Sequence, residues 1–284
     1  MSDNRSAVKH DQKYEIKPGQ SLELLKHLHI LTRDGKLNQD SRRKLKQVYH
    51  LTQFIEPLLQ EISHPGICLV DHGAGKSYLG FILYDLFFKT RNDGSRIYGI
   101  ETRQDLVDSA QSLAAKLHFS GMSFFNLSVA DAIQSERLPA NVDMVTALHA
   151  CDTATDDAIA FALKKHAQFI VLVPCCQAEV ASVLKKNKTR SDSPALAEIW
   201  RHPLHTREFG SHLTNVLRCL QLEAHGYQVS VTELVGWEHS LKNELIIARA
   251  SALRSGKPNK KARARLSEML QTLGLEELRE RFLA

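Results

Sequence analysis

Cysteine, tryptophan and long apolar runs are all scarce in this chain of 284 residues. Five cysteines are too few to staple a fold of this length, and Cys175 and Cys176 are adjacent, which discourages a bridge between them. No apolar run approaches the ~20 residues that a membrane-spanning helix needs. The opening Met1-Ser-Asp-Asn-Arg is polar and contains no apolar signal core. Together these absences predict a cytoplasmic protein with no membrane partner. What is present is ordinary for a globular chain: 43% hydrophobic and 24% charged residues. The length suits one large α/β domain with terminal additions. A formal charge of +5 and a pI near 8.9 permit an RNA partner without requiring one.

The chain is organised around Ile67-Cys-Leu-Val-Asp71-His-Gly73-Ala-Gly75-Lys76-Ser77-Tyr-Leu-Gly80. A short apolar run ends in an acid, turns through two glycines and enters a helical pattern from Leu79 to Phe88. That is a buried strand, a tight loop and a helix whose N-terminus faces a ligand. A phosphate-binding P-loop would need glycine five residues before Gly75, where the chain has Val70. The dinucleotide pattern would need its third glycine where Tyr78 stands. What remains resembles motif I of class I S-adenosylmethionine (SAM) methyltransferases.

Around this loop the chain divides into a helical extension (1–64), a core (65–250) and a basic helical tail (251–284). In the extension we expect a short helix from Ser21, then a long one from about Gln39 to Ile62 capped by Asp40 or Ser41. The core alternates strand and helix. Arg96–Glu101, Met122–Leu127, Val142–Leu148 and Phe169–Val173 follow the first strand, with helices such as Asp105–Leu117 and Thr155–Lys165 between them. Residues 178–209 read as an insertion, and a helix spans Ser211–His225. Two late strands, Tyr227–Val235 and Glu244–Arg249, make a hairpin. The expected fold is Rossmann-like α/β: a seven-stranded, mostly parallel sheet, helices on both faces, closed by an antiparallel hairpin.

In an open parallel sheet, ligands bind beyond the carboxyl ends of the strands. The acids fall there. Asp71 ends the first strand with Gly73, Ala74, Gly75 and Lys76 behind it; Glu101 ends the second; Ala130 and Asp131 follow the third. A carboxylate offers two acceptor oxygens to vicinal ribose hydroxyls, which suits Glu101, and Asp131 matches the acid that receives an adenine amino group. Taken singly, Glu101 also reads as a helix N-terminal charge and Asp131 as an N-cap. Lys76 suits the methionine carboxylate or a loop carbonyl.

The resemblance becomes narrower when Asp71-His-Gly-Ala-Gly-Lys76-Ser-Tyr-Leu79 is set beside Leu148-His149-Ala-Cys151-Asp152-Thr-Ala154-Thr155-Asp156 and Pro174-Cys175-Cys176. These segments resemble a methyltransferase family that includes the eukaryotic tRNA 2′-O-methyltransferase, the methyltransferase-like 25 group and the methyltransferase domain of a glutathione-transferase-like protein. The likeness covers Ile67 to Gln177 and, more loosely, the chain up to Ala250. Ser77 and Asp152 stand where that family usually has glycine, and the tRNA enzyme's zinc-finger parts have no counterpart here. The resemblance implies SAM as cofactor and an RNA substrate, tRNA or rRNA. Methylation of a protein or small molecule, and a non-catalytic SAM-binding scaffold, are the alternatives.

Three basic segments, around Arg42–Lys46, Lys185–Arg190 and Lys257–Arg265, fit an RNA partner or simply solvated faces. Trp200 and Trp237 are the nearest rings for base stacking. His149, Cys151, Cys175 and Cys176 are the candidate catalytic cluster, with His149 also bordering the cofactor. His149 is a candidate general base. The same cluster also reads as a zinc site, though its spacing matches no common one, or as pocket walls. No Asn-Pro-Pro-Tyr motif of amino-group methylation is present.

Overall fold

A computed structural model describes residues 16–148, 152–174, 178–187, 198–234, 244–251 and 258–283. The apolar runs become strands β1 (Cys68–His72), β2 (Arg96–Glu101), β3 (Met122–Asn126), β4 (Met144–Leu148), β5 (Phe169–Val173), β6 (Tyr227–Glu233) and β7 (Glu244–Ala250). They form one seven-stranded sheet in the order β3-β2-β1-β4-β5-β7-β6. β1 runs parallel to both β2 and β4, and only β7 is antiparallel to its neighbours. Every residue of β1 and β5 is buried, which explains why both read as continuous apolar runs and not as alternations. The winding direction reverses between β1 and β4, so the ligand crevice of such a sheet lies above the carboxyl ends of these two strands.

Helices α1 (Leu22–His27) and α2 (Gln39–Glu61) cover one face. Ser21 caps α1 by accepting from Leu24 N at 3.1 Å. The cap of α2 is Asn38, accepting from Ser41 N at 2.8 Å, which corrects the expectation of Asp40 or Ser41. Leu24, Leu25, Leu45, Leu51 and Ile55 pack into one cluster with Leu69 of β1, Ile97 of β2 and Phe81 of α3 (Tyr78–Leu83). α3 runs directly into a π-helical turn, Tyr84–Phe88. From that turn the buried Asp85 accepts from Ser21 N at 2.9 Å and from Lys89 Nζ at 2.6 Å. The N-terminal helices therefore share a core with the sheet.

Downstream come α4 (Gln104–Lys116), α5 (Val129–Gln134) and α6 (Thr153–Lys164). Phe161 and Ile159 of α6 cover the opposite face, against Val70, Val145 and Ile170. α7 (Glu179–Lys186), α8 (Pro203–Ala224), α9 (Lys260–Thr272) and α10 (Arg279–Leu283) build a third cluster around Leu217, Leu266, Leu270 and Phe282. α8 begins eight residues before the expected Ser211, with Pro203 in its first turn, where the missing N–H has no intrahelical partner to lose. Trp200 is 3% exposed in this cluster, so it cannot stack on a base. Beneath it the buried Arg218 grips Asp156 of α6 at 2.7 and 2.9 Å, and also donates to Asp152 O at 2.8 Å.

Candidate functional site

The loop after β1 is braced from below. Asp71, 2% exposed, accepts from Thr146 Oγ1 of β4 at 2.9 Å and from Ser77 Oγ at 3.3 Å. Burial pushes its carboxyl up to about 6, against hydrogen bonds from Thr146, Ser77 and Gly80. Asp71 thus ties β4 to the start of α3. Gly73 and Gly75 turn the loop with φ of 65° and 56°, values that L side chains rarely adopt. Ala74 N donates to Ile100 O at 3.0 Å and Gly75 N to Glu101 Oε2 at 2.8 Å, which fixes the loop against the end of β2.

Glu101 gathers further donors. Thr102 N and Arg103 N reach Oε1 at 3.0 and 3.1 Å, and Arg103 Nε joins them at 3.1 Å. Burial alone would raise this carboxyl, but hydrogen bonds from the Arg103 guanidinium and backbone and from Gly75 outweigh it and hold the group below the usual range. Glu101 is therefore ionised at neutral pH. The Arg103 side chain, 64% exposed, covers it from the solvent side. At the end of β3, Ala130 and Asp131 form the first turn of α5. Ser128 caps that helix, accepting from Asp131 N at 3.2 Å while its hydroxyl donates to Asp131 Oδ2 at 2.6 Å. Asp131 itself stays exposed.

A cavity of about 220 Å³ opens over these elements, lined by Asp71, Gly73, Ala74, Gly75, Lys76, Tyr78, Leu79, Arg103 and Leu148. Loop and cavity thus unite the predicted Asp71, Gly73, Ala74, Gly75, Lys76 and Glu101, while Ala130 and Asp131 stand one strand away. Arg103, Tyr78 and Thr146 were not anticipated. The signal for Thr146 was available: a lone hydroxyl inside the apolar run Met144–Leu148. His72 was also overlooked. It is 6% exposed, its ring lies 5.7 Å from Phe161, and neither ring nitrogen has a partner among the described residues. Burial pushes it down to about 4 despite the nearby Glu101 charge.

His149, Cys151, Cys175 and Cys176 lie outside the described residues. The strands leading to them are neighbours, with Leu148 of β4 opposite Val173 of β5. Among the described residues no His, Cys, Asp and Glu group could hold a metal. Burial pushes the thiols of Cys68 and Cys219 up to about 12, so neither is a ready nucleophile.

A family model described as a methyltransferase domain matches residues 43–183, from within α2 into α7. This stretch, just under half of the chain, is similar to a methyltransferase domain, whose cofactor is SAM. Two glutathione S-transferase C-terminal domain-containing proteins, from Bos taurus and Mus musculus, are each 23% identical to it over 236 residues. That stretch is 77% of this chain and 35% of theirs, so the chain spans about a third of the length of these relatives. Among solved structures, the magnesium protoporphyrin IX methyltransferase of Synechocystis PCC 6803 is 16% identical with a TM-score of 0.45, covering 87% of this chain and 100% of that one. An rRNA methylase from Streptococcus thermophilus is 8% identical with a TM-score of 0.44, covering 69% and 94%.

The donor set suits this cofactor. The cavity offers backbone and a lysine to an amino-acid carboxylate, and the ionised Glu101 beside it offers acceptor oxygens to hydroxyls. No helix is long and apolar enough to cross a membrane among the described residues.

Proposed function

We propose that the protein is a SAM-dependent methyltransferase and that it methylates RNA, either tRNA or rRNA. Its cofactor lies along the carboxyl ends of β1, β2 and β3. Bound SAM supplies a methyl group activated on a sulfonium sulfur. The backbone of Gly73, Ala74 and Gly75 holds the methionine half, with Lys76 facing its carboxylate. Glu101 takes the ribose hydroxyls, and Ala130 and Asp131 meet the adenine. Tyr78, Leu79 and Leu148 wall the transfer end against water. His149, the next residue after Leu148, removes the proton from the acceptor; Cys151, Cys175 and Cys176 shape the pocket around it. Methyl transfer needs chiefly alignment of donor and acceptor, which a walled cavity provides.

One observation carries the choice of RNA. The exposed Arg42 and Arg43 open α2, and Lys44 of the same turn lines a second cavity that shares Tyr78, Leu79 and Leu148 with the first. One cation, Lys44, thus stands in the wall of a cavity that adjoins the site, with Arg42 and Arg43 exposed just before it in sequence, and such a run would neutralise phosphates of a bound strand. The other basic segments add less. Lys185 and Lys186 are exposed at the end of α7. Lys260 follows Asn259, whose N–H bonds Ala224 O at the amino edge of the sheet, away from the cavity.

The test is transfer of labelled methyl from SAM into fractionated RNA, protein and small molecules. Label should enter RNA, and binding to that RNA should weaken steeply with salt. Label confined to the protein or small-molecule fraction would refute the RNA reading.

A further inference from the structure

We infer that the second cavity is the acceptor chamber and that it encloses a nucleobase turned out of the strand. The inference rests on the RNA reading and specifies what part of the RNA enters. The chamber measures about 220 Å³ and lies between the N-terminal helices and the loop. That volume is below the roughly 300–1,000 Å³ of sites for drug-sized ligands, and suits one ring system. Lys44, Gln47, Val48 and Leu51 line it at positions i, i+3, i+4 and i+7 of α2, a single stripe of that helix. Leu28 and Ile30, just after α1, contribute to the same lining, and Tyr78, Leu79 and Leu148 are common to the cofactor cavity.

The chemistry of this lining selects the occupant. Seven of its nine residues are aliphatic or aromatic, as the faces of a planar ring require. Lys44 donates hydrogen bonds, and Gln47 both donates and accepts, which is what a base edge needs. A phosphate or a ribose would meet a largely apolar wall. Exposed Arg42 and Arg43 sit one turn before Gln47 on α2, where a sugar-phosphate backbone could remain in solvent while its base enters. Enzymes that modify a base inside a structured strand must extrude it, and pockets that receive it combine apolar walls with a few edge contacts. The helices of the N-terminal extension would therefore choose the acceptor, while the loop holds the cofactor.

The test uses the full chain saturated with S-adenosylhomocysteine, whose binding is titrated first as the separate check on the cofactor site. The probes are the four ribonucleoside 5′-monophosphates, with ribose 5-phosphate as the ring-free control, read by equilibrium dialysis and by chemical shifts of the Val48, Leu51 and Ile30 methyls. At least one nucleotide should bind about tenfold or more above ribose 5-phosphate, the order expected for one stacked base. Val48→Trp, at a partly buried position, should abolish that binding with S-adenosylhomocysteine affinity unchanged. Gln47→Ala, a milder change, should weaken it and alter the ranking of the bases. Equal binding of ribose 5-phosphate, or nucleotide binding that survives both substitutions in protein competent for S-adenosylhomocysteine, overturns the inference. RNA labelled by an enzyme whose chamber takes no nucleotide would leave the RNA reading standing and this one refuted.

Discussion

The Ser77 hydroxyl donates to the Asp71 carboxylate at 3.3 Å while its own backbone sits at φ 50°, ψ 38°. Asp152 repeats the arrangement: at φ 49° its Oδ1 accepts from Ala178 N at 3.0 Å and Glu179 N at 3.4 Å. These are the two positions where glycine is usual in the resembling family. Each non-glycine residue occupies a glycine-like conformation and uses its side chain to tie two elements together. For Ser77 the terms can be separated. Left-handed backbone costs an L residue roughly 1–2 kcal/mol, and a hydrogen bond to a buried, partly ionised group contributes roughly 1.5–3 kcal/mol. Ser77→Ala loses the bond and keeps the strain, so it should destabilise by about 2–3 kcal/mol. Ser77→Gly loses the bond but relieves the strain, and should cost about 1 kcal/mol less than alanine. Urea denaturation at pH 7 gives both numbers; alanine and glycine of equal stability would remove the strain argument.

Asp71 and His72 are adjacent, both buried, and shifted in opposite directions. Asp71 rises from 3.8 to about 6, so the stability it contributes is full below 3.8 and lost as pH rises through 6. His72 falls from 6.5 to about 4, so its contribution is full above 6.5 and lost as pH falls through 4. Each effect is worth roughly 3 kcal/mol, and between pH 4 and 6 they nearly cancel. Single substitutions should unmask the partner. His72→Leu should gain stability relative to the parent as pH drops from 6.5 to 4, and Asp71→Asn should lose it over the same range. Urea midpoints at pH 4.5, 5.5 and 7 would show the two differences diverging with opposite sign. His72→Leu should also be tolerated at pH 7, since it removes two orphaned ring nitrogens.

How far the sequence disclosed this architecture depended on where each element finds its partners. The bounds of β5 are legible to the residue because a strand buried on both sides carries its own apolar signature, and those of β2 because a short apolar run is bracketed by Arg96 and Glu101. The loop glycines and Glu101 were equally visible, since acids at strand ends are out of place in an apolar run. Interactions between distant segments were not. Trp200 looked like an exposed ring in a polar insertion, yet α7, α8 and α9 enclose it. In the tail an amphipathic helix through Leu270 and Leu273 is legible, but not that Leu266 and Leu270 put it into a core with α7 and α8. Arg103 carries no local mark; its role follows from the Glu101 carboxylate two residues before it.

Arg218 provides a test of the docking of the C-terminal helices. It is fully buried, and its bidentate pair with Asp156 is joined by Arg281 of α10, whose Nη1 is 3.6 Å from Asp156 Oδ2 and whose Nη2 donates to Glu179 at 2.9 Å. Removing one partner of a buried pair leaves an uncompensated charge, so Arg218→Met should destabilise by about 3–5 kcal/mol. Arg218→Met combined with Asp156→Leu should recover much of that loss, because apolar replacements of both partners avoid the desolvation penalty. A double-mutant cycle in urea measures the coupling. Arg281→Ala, at the half-exposed edge of the network, should cost about 1 kcal/mol or less.

The proposed cofactor site makes a prediction in which three residues act differently. Glu101 offers an ionised carboxylate directly, so Glu101→Ala should weaken SAM binding by about tenfold to a hundredfold, the loss of one or two charge-assisted hydrogen bonds. Asp71 acts through the loop it braces, so Asp71→Ala should weaken SAM binding only by loosening that loop; Glu101 also holds Gly75 N, so both alanine variants should lower the melting temperature. Arg103 covers Glu101 in the free protein with a mostly exposed side chain, and its ion pair must open before ribose hydroxyls reach the carboxylate. An exposed pair of this kind contributes little to stability. Arg103→Ala should therefore leave affinity within about twofold of the parent, or tighten it. Calorimetry with SAM, paired with thermal melts of the same variants, separates these roles. Unchanged affinity in both Glu101→Ala and Asp71→Ala would place the cofactor elsewhere. A tenfold loss in Arg103→Ala would instead make that guanidinium a direct ligand, with the methionine carboxylate its natural counter-charge.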